Sequence, residues 1–235
     1  MQTAPGRTAP TVAVLLLAQM RRGATCWGWS RVVGGERLLR RVEGLRFARA
    51  LGCGRNGGFG LQPSLDRQGL FALFDNDRDA DAFIDTSPIT AAYRAQAREW
   101  LVARLRATSS RGSWGGMGIG VSAAADPAAP VAALTRGSIR VRRALAFWRH
   151  SPASEAGLAR AAGCRLAVGL GEAPVLRQAT FSLWDDSAAM EAYARSGAHR
   201  EAARAAQAEG HFSESMFVRF LPQRLEGQWQ GRRHG

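Results

Sequence analysis

The sequence contains no lysine, and all of its 32 basic residues are arginines. Set against 19 acidic residues, they give a formal net charge of +13, which raises the question of a nucleic-acid partner. The arginines are scattered from Arg7 to Arg233, and no stripe of them is interleaved with aromatic residues as in a nucleic-acid-binding module. We therefore expect no nucleic-acid partner. The positive surface instead favours an anionic membrane or an acidic electron carrier.

Cysteine is also scarce, since only Cys26, Cys53 and Cys164 occur and none is paired in spacing with another. This pattern supports neither a disulfide framework nor a zinc site, and it is typical of a protein of the reducing cytoplasm. The apolar run from Val12 to Ala18 is too short to span a membrane. We predict that it forms a β-strand covered on both faces.

Common catalytic signatures are missing as well. The sequence has no GxSxG and no HExxH, so hydrolase chemistry has little support. A single GxGxxG begins at Gly52 and ends at Gly57, but the expected strand before it and helix after it are not predicted. We interpret this segment as a turn and not as a dinucleotide site.

An internal repeat organises the chain. Residues 68–93 align without a gap with residues 178–203 at a shift of 110, and Gln68 matches Gln178. At the same shift, His199 falls opposite Ile89. Because only one copy carries the imidazole, we predict that the second copy holds a functional site and that the first copy is scaffold.

Each copy predicts the order strand, helix, strand, strand, helix, strand, which is that of a ferredoxin-like unit. We therefore predict an α+β fold in which two tandem ferredoxin-like units form an architecture of the dimeric-α/β-barrel type. The predicted parts are a loose leader (1–10), a first repeat (11–111), a Gly-, Ala- and Pro-rich linker or lid (112–129), a second repeat (130–222) and a frayed tail (223–235).

Two further pairs of segments are predicted to be equivalent in the copies. The segments LRFARAL (residues 45–51) and ALAFWRH (residues 144–150) both follow arginines and carry aromatic residues. The glycine-flanked triplets at residues 52–54 and 169–171 are interpreted as matching turns.

The four histidines differ in their surroundings. His234 lies in the predicted tail, His211 follows a helix stop and is expected to be exposed, and His150 ends an aromatic segment. His199 lies on a predicted helix among small side chains that would allow a large flat group to approach: Ala198, Ala202, Ala203 and Ala206. A single histidine commonly holds haem iron. From the residues alone, an exposed or otherwise satisfied helix histidine stays an open alternative.

Three strings carry a resemblance to a known family: PVAALTRGSIRVRRALAFWRHSP, GLGEAPVLRQATFSLWDDSAAMEAYARSGAHREAARAA and EGHFSESMFVRF. They are similar to the spheroidene monooxygenases, bacterial carotenoid ketolases, and the resemblance extends from about Val12 to Phe220. It implies a haem-dependent monooxygenase that uses molecular oxygen and reduced ferredoxin to introduce a keto group into an acyclic carotenoid such as spheroidene. Because a carotenoid resides in a membrane, the net positive charge favours a cytoplasmic enzyme in peripheral contact with the inner membrane.

The resemblance assigns His199 as the axial ligand of the haem iron. It makes three arginines candidate partners of the haem propionates: Arg136, Arg140 and Arg143. Four aromatic residues become the candidate apolar lining of the pocket: Phe147, Trp148, Phe181 and Trp184. The alternatives are a solvated strand edge for the arginines and ordinary core packing for the aromatic residues.

This sequence also departs from the family pattern. His211 stands where the family usually has tryptophan, and the first half diverges around WGWSRVVGGERLLRR. Two other functions therefore stay open: a haem-binding or haem-degrading relative on the same fold, and a ligand-binding protein without catalysis.

Overall fold

The computed structural model describes residues 11–55, 58, 62–173 and 176–235. Within these ranges, it describes no side chain for residues 36, 150–156, 159, 173, 198 and 207. The predicted leader and Gly57, the last glycine of the GxGxxG pattern, lie outside the described residues.

Nine strands and six α-helices are defined in the described part of the chain. The strands are β1 (Val12–Met20), β2 (Leu45–Gly54), β3 (Pro63–Phe74), β4 (Ala97–Gly112), β5 (Val131–Ile139), β6 (Cys164–Ala173), β7 (Arg177–Trp184), β8 (Phe212–Trp229) and β9 (Arg232–His234). The helices are α1 (Thr25–Gly34), α2 (Asp77–Asp85), α3 (Pro88–Gln96), α4 (Ala144–Ala159), α5 (Ser187–Ala194) and α6 (Gly197–Ala208). Short 3-10 turns precede α1 and α4 and follow α1.

Eight of the strands form one antiparallel barrel. The strands follow the order β4-β1-β3-β2-β6-β7-β5-β8, and the pairing of β8 with β4 closes the ring. The halves meet at a short contact, where Gly52 pairs with Gly171 and Cys53 with Leu170, and at a long one between β4 and β8. The fold is therefore α+β, with the helices outside the barrel.

Side-chain alternation along β1 explains why its sequence is apolar throughout. Ala13, Leu15 and Leu17 belong to the core inside the barrel, whereas Val14 and Leu16 pack towards the helices of the first half. Every residue of β1 is buried, as expected of a strand that is covered on both faces.

The acidic segments after β3 and β7 begin the helices α2 and α5. Asn76 accepts a hydrogen bond from the Asp79 backbone N–H at 2.9 Å, and Asp186 accepts one from the Ala189 backbone N–H at 2.8 Å. These side chains satisfy backbone donors that a helix start leaves without an intrahelical partner.

Several local predictions are wrong. Residues 45–51 belong to β2, whereas residues 144–150 begin α4, so the two segments are not equivalent. Alanine and leucine favour a helix in the second of them. The triplets at 52–54 and 169–171 are not turns, because they lie in β2 and β6 and pair with each other across the two halves. This pairing joins the two halves, so the sequence pattern of one copy cannot predict it.

The C-terminal residues are ordered and do not form a frayed tail. β8 continues to Trp229 and pairs with β4 as far as Leu101↔Gly227, after which β9 folds back on β8. Backbone hydrogen bonds to β4 hold this polar segment in place, so its side-chain composition does not reveal the strand.

The predicted linker or lid packs against the core inside the barrel. Trp114 and Ile119 belong to the core inside the barrel and are 1% and 4% exposed. The Trp114 ring stacks on Phe71 at 5.3 Å between centroids, and its Nε1–H donates to Glu172 Oε1 at 2.7 Å. This segment therefore contributes to the core. In the described part of the chain, no helix is both long and apolar enough to cross a bilayer.

Candidate active site

The two halves of the barrel differ on the face that points towards the helices. In the first half, Leu16 pairs with Leu70, and these side chains are 1% and 2% exposed. In the second half, the pair at the same place is Thr135 and Thr180, since Thr180 aligns with Leu70 at the shift of 110. Thr135 is exposed although it lies in the middle of the sheet. The second half therefore lacks the leucines that fill this layer in the first.

We call this outward surface of the second half the second-half floor. It consists of small side chains on β5, β6 and β7: Ala133, Thr135, Gly137, Ala167, Gly169, Gly171, Thr180 and Ser182. The helices above it, α4 and α6, pack mainly on each other, and α6 has more contact with α4 and α5 than with any strand. We call the region between this floor and the helix pair the second-half cleft. On its α4 side, Leu158 packs in one hydrophobic cluster with Ala133 and Ala167 of the floor.

His199 lies in the first turn of α6, at one end of this cleft. Its ring is 4.7 Å from the Tyr193 ring, which in turn is 5.4 Å from the Trp184 ring. Trp184 Nε1–H donates to Ser182 Oγ at 2.9 Å, so the indole is held on the floor. Burial lowers the pKa of His199, which keeps the imidazole neutral near pH 7. The neutral ring is the form that binds a metal.

A second group of predicted residues lies at the other end of the cleft, near the start of α4. The Phe147 ring is 5.3 Å from the Trp148 ring and 5.6 Å from the Phe212 ring. Arg140 Nε–H donates to the Phe212 carbonyl at 3.2 Å, and Arg143 Nη1 lies 3.9 Å from a Glu209 carboxylate oxygen. The part of α6 from His199 to Ala208, about 14 Å long, separates His199 from this group.

The structure does not bring Arg136 and Phe181 to this cleft. Both side chains point into the barrel, because neighbouring residues of a strand face opposite sides of a sheet. Arg136 is 3% exposed, and its guanidinium contacts Glu214 Oε2 at 2.5 Å and Glu172 Oε1 at 3.1 Å. Phe181 belongs to the barrel core. Arg136 therefore supports the fold through two carboxylates on the far side of the sheet.

His211 was expected to be exposed, and that expectation is wrong. It is 1% exposed, its Nε2 lies 3.1 Å from Glu209 Oε2, and Nδ1 has no hydrogen-bond partner among the described residues. Its ring lies 6.3 Å from Phe147, so α4 covers it. The helix stop before His211 suggested that its side chain is exposed to solvent, but the packing of α4 over the ring buries it.

Comparison with known proteins identifies the family. No protein-family model matches the chain. The chain is 53% identical to the spheroidene monooxygenase of Rubrivivax gelatinosus over 99% of its own length and 91% of that protein. The chain belongs to the spheroidene monooxygenase family. The family member of Rhodobacter capsulatus is 35% identical over 88% of this chain and 87% of that protein. Membership makes the chain an oxygenase.

A solved structure shares the fold of this family member. An aldoxime dehydratase co-crystallised with butyraldoxime superimposes with a TM-score of 0.59 over 93% of this chain and 81% of that one, at 13% sequence identity. At this identity, the likeness concerns the arrangement of helices and strands alone. It agrees with an α+β fold built on an antiparallel barrel.

One carboxylate beside Arg136, that of Glu214, is expected to make the stability of this spheroidene monooxygenase family member sensitive to acid. Burial by itself would raise the pKa of Glu214, but hydrogen bonds from the Gly116 and Gly115 backbone N–H groups, the Ser113 hydroxyl and Arg136 outweigh burial. Together they lower the pKa of Glu214 from 4.5 to about 2. The charged form is therefore stabilised in the folded protein.

We expect Glu214→Gln to remove part of the acid sensitivity. A carboxylate whose pKa falls on folding contributes stability that is complete above pH 4.5 and is lost as the pH falls towards 2. At about 1.4 kcal/mol per pKa unit, that contribution is roughly 3 kcal/mol at most. Urea midpoints measured between pH 3 and 6 should fall less steeply with acid in the variant than in the wild type.

The exposed Glu201 supplies the control for that measurement. Glu201→Gln should keep the steep wild-type decline. Equal slopes for wild type and Glu214→Gln would show that the hydrogen bonds to Glu214 do not stabilise its charged form.

Proposed function

We propose that the chain is a haem-dependent monooxygenase that introduces a keto group into an acyclic carotenoid such as spheroidene. Molecular oxygen and reduced ferredoxin are its proposed co-substrates. The names of the curated relatives support the polyene substrate. One observation carries the haem assignment: the half that contains His199 has the short side chains of Thr135 and Thr180 on its floor, where the other half has Leu16 and Leu70 and has Ile89 in place of the histidine.

The residues of the second-half cleft fit a planar macrocycle. The floor at Thr135 and Thr180 presents short side chains, Thr135 is exposed, and α6 packs mainly on α4 and α5, which favours the entry of a flat group beside the floor. Among the described residues, no cluster of three or more His, Cys, Asp or Glu side chains could hold a metal ion, but haem iron requires only one protein ligand. His199 is the residue that we assign to this role.

The remaining predicted residues differ in how their positions relate to the proposed site. The Trp184 ring contacts the Tyr193 ring, which contacts the His199 ring, and this chain of contacts favours Trp184 as part of the pocket wall. Phe147 and Trp148 stay proposed lining residues at the far end of the cleft, and Arg140 and Arg143 stay proposed propionate partners there. Arg143 is 3.9 Å from its carboxylate partner, a loose contact that a propionate could replace. Arg136 and Phe181 face the barrel interior and are not part of this proposed site.

Bound haem would supply the oxygen activation that amino-acid side chains cannot provide. The chain itself would provide three things. The neutral imidazole of His199 would hold the haem, and the Tyr193 ring would fix the orientation of that imidazole. The apolar side chains of α4 and β7 would keep water away from the inert carbon–hydrogen bond of the substrate.

The start of α4 supports a peripheral membrane contact of a cytoplasmic protein. Val141 and Leu145 are 76% and 71% exposed, and with Arg149 they lie at intervals of four residues along one side of the segment. Arg142 and Arg149 are also exposed. Apolar side chains beside arginines suit the interface of an anionic bilayer, where a carotenoid resides. The same net positive charge favours an acidic donor such as ferredoxin.

The order of elements also supports the finer interpretation of the fold. Each half contains strand, helix, strand, strand, a helix pair and strand, and its strands lie in the order fourth, first, third, second. We interpret the halves as tandem ferredoxin-like units that share one barrel.

Two measurements test the proposed function. Wild-type protein expressed with an adequate haem supply should show a Soret band after purification. A carotenoid-producing host that carries the gene should accumulate a carotenoid in which one oxygen has replaced two hydrogens. A Soret band without a new keto-carotenoid would favour the haem-binding or haem-degrading alternative, and the absence of both would favour a non-catalytic ligand-binding protein.

Filling the floor should exclude haem. Thr180→Leu introduces the leucine that the first half has at Leu70, and we expect haem binding to weaken at least tenfold while the melting temperature is maintained. Thr180→Val is the control, because it preserves the volume of the side chain and should preserve binding. Titration of haem into the apoprotein measures both. Wild-type affinity in Thr180→Leu would place the haem elsewhere.

A further inference from the structure

The first half contains a cavity of about 200 Å³ between α1, α3 and the outer face of the sheet. Its walls are mainly apolar, and two of them are the Trp27 and Tyr93 rings, which meet edge to face at 5.2 Å. Leu38 also lines the cavity and is 43% exposed, so the cavity is open to solvent on that side.

The position of this cavity in the first half is equivalent to that of the second-half cleft in the second half. Ile89 and Ala92 line it, and they align with His199 and Ala202 at the shift of 110. Among the described residues, its wall contains no histidine, cysteine, aspartate or glutamate. This described lining suits an organic ligand better than a metal ion.

Arg31 is the one charged residue that the described part of the chain places in the cavity wall. Its guanidinium carbon lies 4.9 Å from the centre of the Trp27 ring, and its buried Nε has no hydrogen-bond partner among the described residues. A buried N–H without a partner is costly, so an acceptor oxygen on a ligand would be stabilising there. The wall thus combines an apolar surface with one donor that lacks an acceptor.

We propose that this cavity binds the carbonyl-bearing end of an oxygenated isoprenoid chain, with the carbonyl oxygen accepting a hydrogen bond from Arg31 Nε. A dry cavity of about 150 Å³ can hold a benzene-sized molecule, so this one takes a branched chain end of roughly eight to ten heavy atoms and not a whole polyene. The inference rests on the proposed function, because a carotenoid ketolase produces such a carbonyl.

Sulcatone, a branched eight-carbon isoprenoid methyl ketone, is the probe, and methylheptene of the same skeleton is its hydrocarbon control. Saturation-transfer NMR titrations use the purified full chain, and its absorption spectrum is recorded in the same sample. Wild type should bind sulcatone about tenfold more tightly than the hydrocarbon. Arg31→Met should remove that difference and bind both ligands alike.

Two substitutions on α3 fill the cavity and locate the site. Ala92→Leu and Ile89→Phe should each abolish the sulcatone signal, and either one suffices if the other fails to fold. Ala202→Leu is the matched control at the aligned position of the second half and should bind sulcatone as the wild type does. Thermal melting of each variant checks the fold.

Three outcomes overturn the inference: sulcatone binding that survives both filling substitutions, binding that is lost in Ala202→Leu, or a preference for the ketone that survives Arg31→Met. A missing Soret band in the wild type would contradict the haem assignment alone. Sulcatone binding is measured independently of haem, so the two proposals can fail separately.

Discussion

His199→Ala is expected to abolish the Soret band of haem-loaded protein and, with it, formation of the keto-carotenoid. The substitution removes the proposed iron ligand but only one partly buried side chain, so the fold should persist. Loss of residues that merely orient a metal ligand already costs about 10–100-fold in affinity, so loss of the ligand should cost at least about 100-fold. Haem titration, circular dichroism and pigment analysis of a carotenoid-producing host measure the three effects.

His211 provides the sharpest control for that experiment. It is buried next to a carboxylate, and its Nδ1 lacks a partner among the residues that the structure describes, so it is the competing ligand. His211→Asn should keep the Soret band. Adding imidazole to His199→Gly should restore the band, since free imidazole can replace the lost ring. A band that survives His199→Ala but disappears in His211→Asn would assign the iron to His211.

Trp114→Ala is expected to have the largest effect on stability. The indole is 1% exposed inside the barrel, stacks on Phe71 and donates a hydrogen bond to Glu172. Truncation of a buried tryptophan costs about 3–5 kcal/mol, through lost burial and the cavity that is left. For a chain of this length, that corresponds to a fall in melting temperature of roughly 10 °C or more.

Trp114→Phe separates the two contributions of the indole. Phenylalanine keeps the stacking on Phe71 but has no N–H for Glu172, which still accepts hydrogen bonds from Arg136 and Arg49. Trp114→Phe should therefore lower the free energy of unfolding by about 1–2 kcal/mol, measured by urea unfolding. If Trp114→Ala has the melting temperature of the wild type, residues 113–130 do not contribute to the core inside the barrel.

Local patterns in the sequence predicted the parts of the fold that depend on near neighbours. The apolar run of β1 predicted a strand covered on both faces. The gapless repeat placed His199 opposite Ile89 and indicated that one half differs in function. Each of these inferences needs only residues that lie close in sequence or a comparison of aligned positions.

The candidate site was only partly predictable, and β5 shows why. Arg136 and Thr135 are adjacent in sequence, yet Arg136 contacts two carboxylates inside the barrel and Thr135 lies on the open floor under α4 and α6. An arginine in an arginine-rich segment gives no local sign of the face on which it lies. The same alternation placed Phe181 in the core and Trp184 beside Tyr193.

The apolar strand β1, the duplication and the contrast between His199 and Ile89 follow from the sequence, because hydrophobic pattern and aligned positions are local properties. The pairing of β2 with β6, the completion of the barrel against β4 by polar residues near the C-terminus, and the burial of His211 by α4 follow from the tertiary structure. These outcomes depend on pairing between backbone segments distant in the chain. Barrel closure sets the face of every strand, and so it decides that the small residues of the second half form a floor beneath the helix of His199.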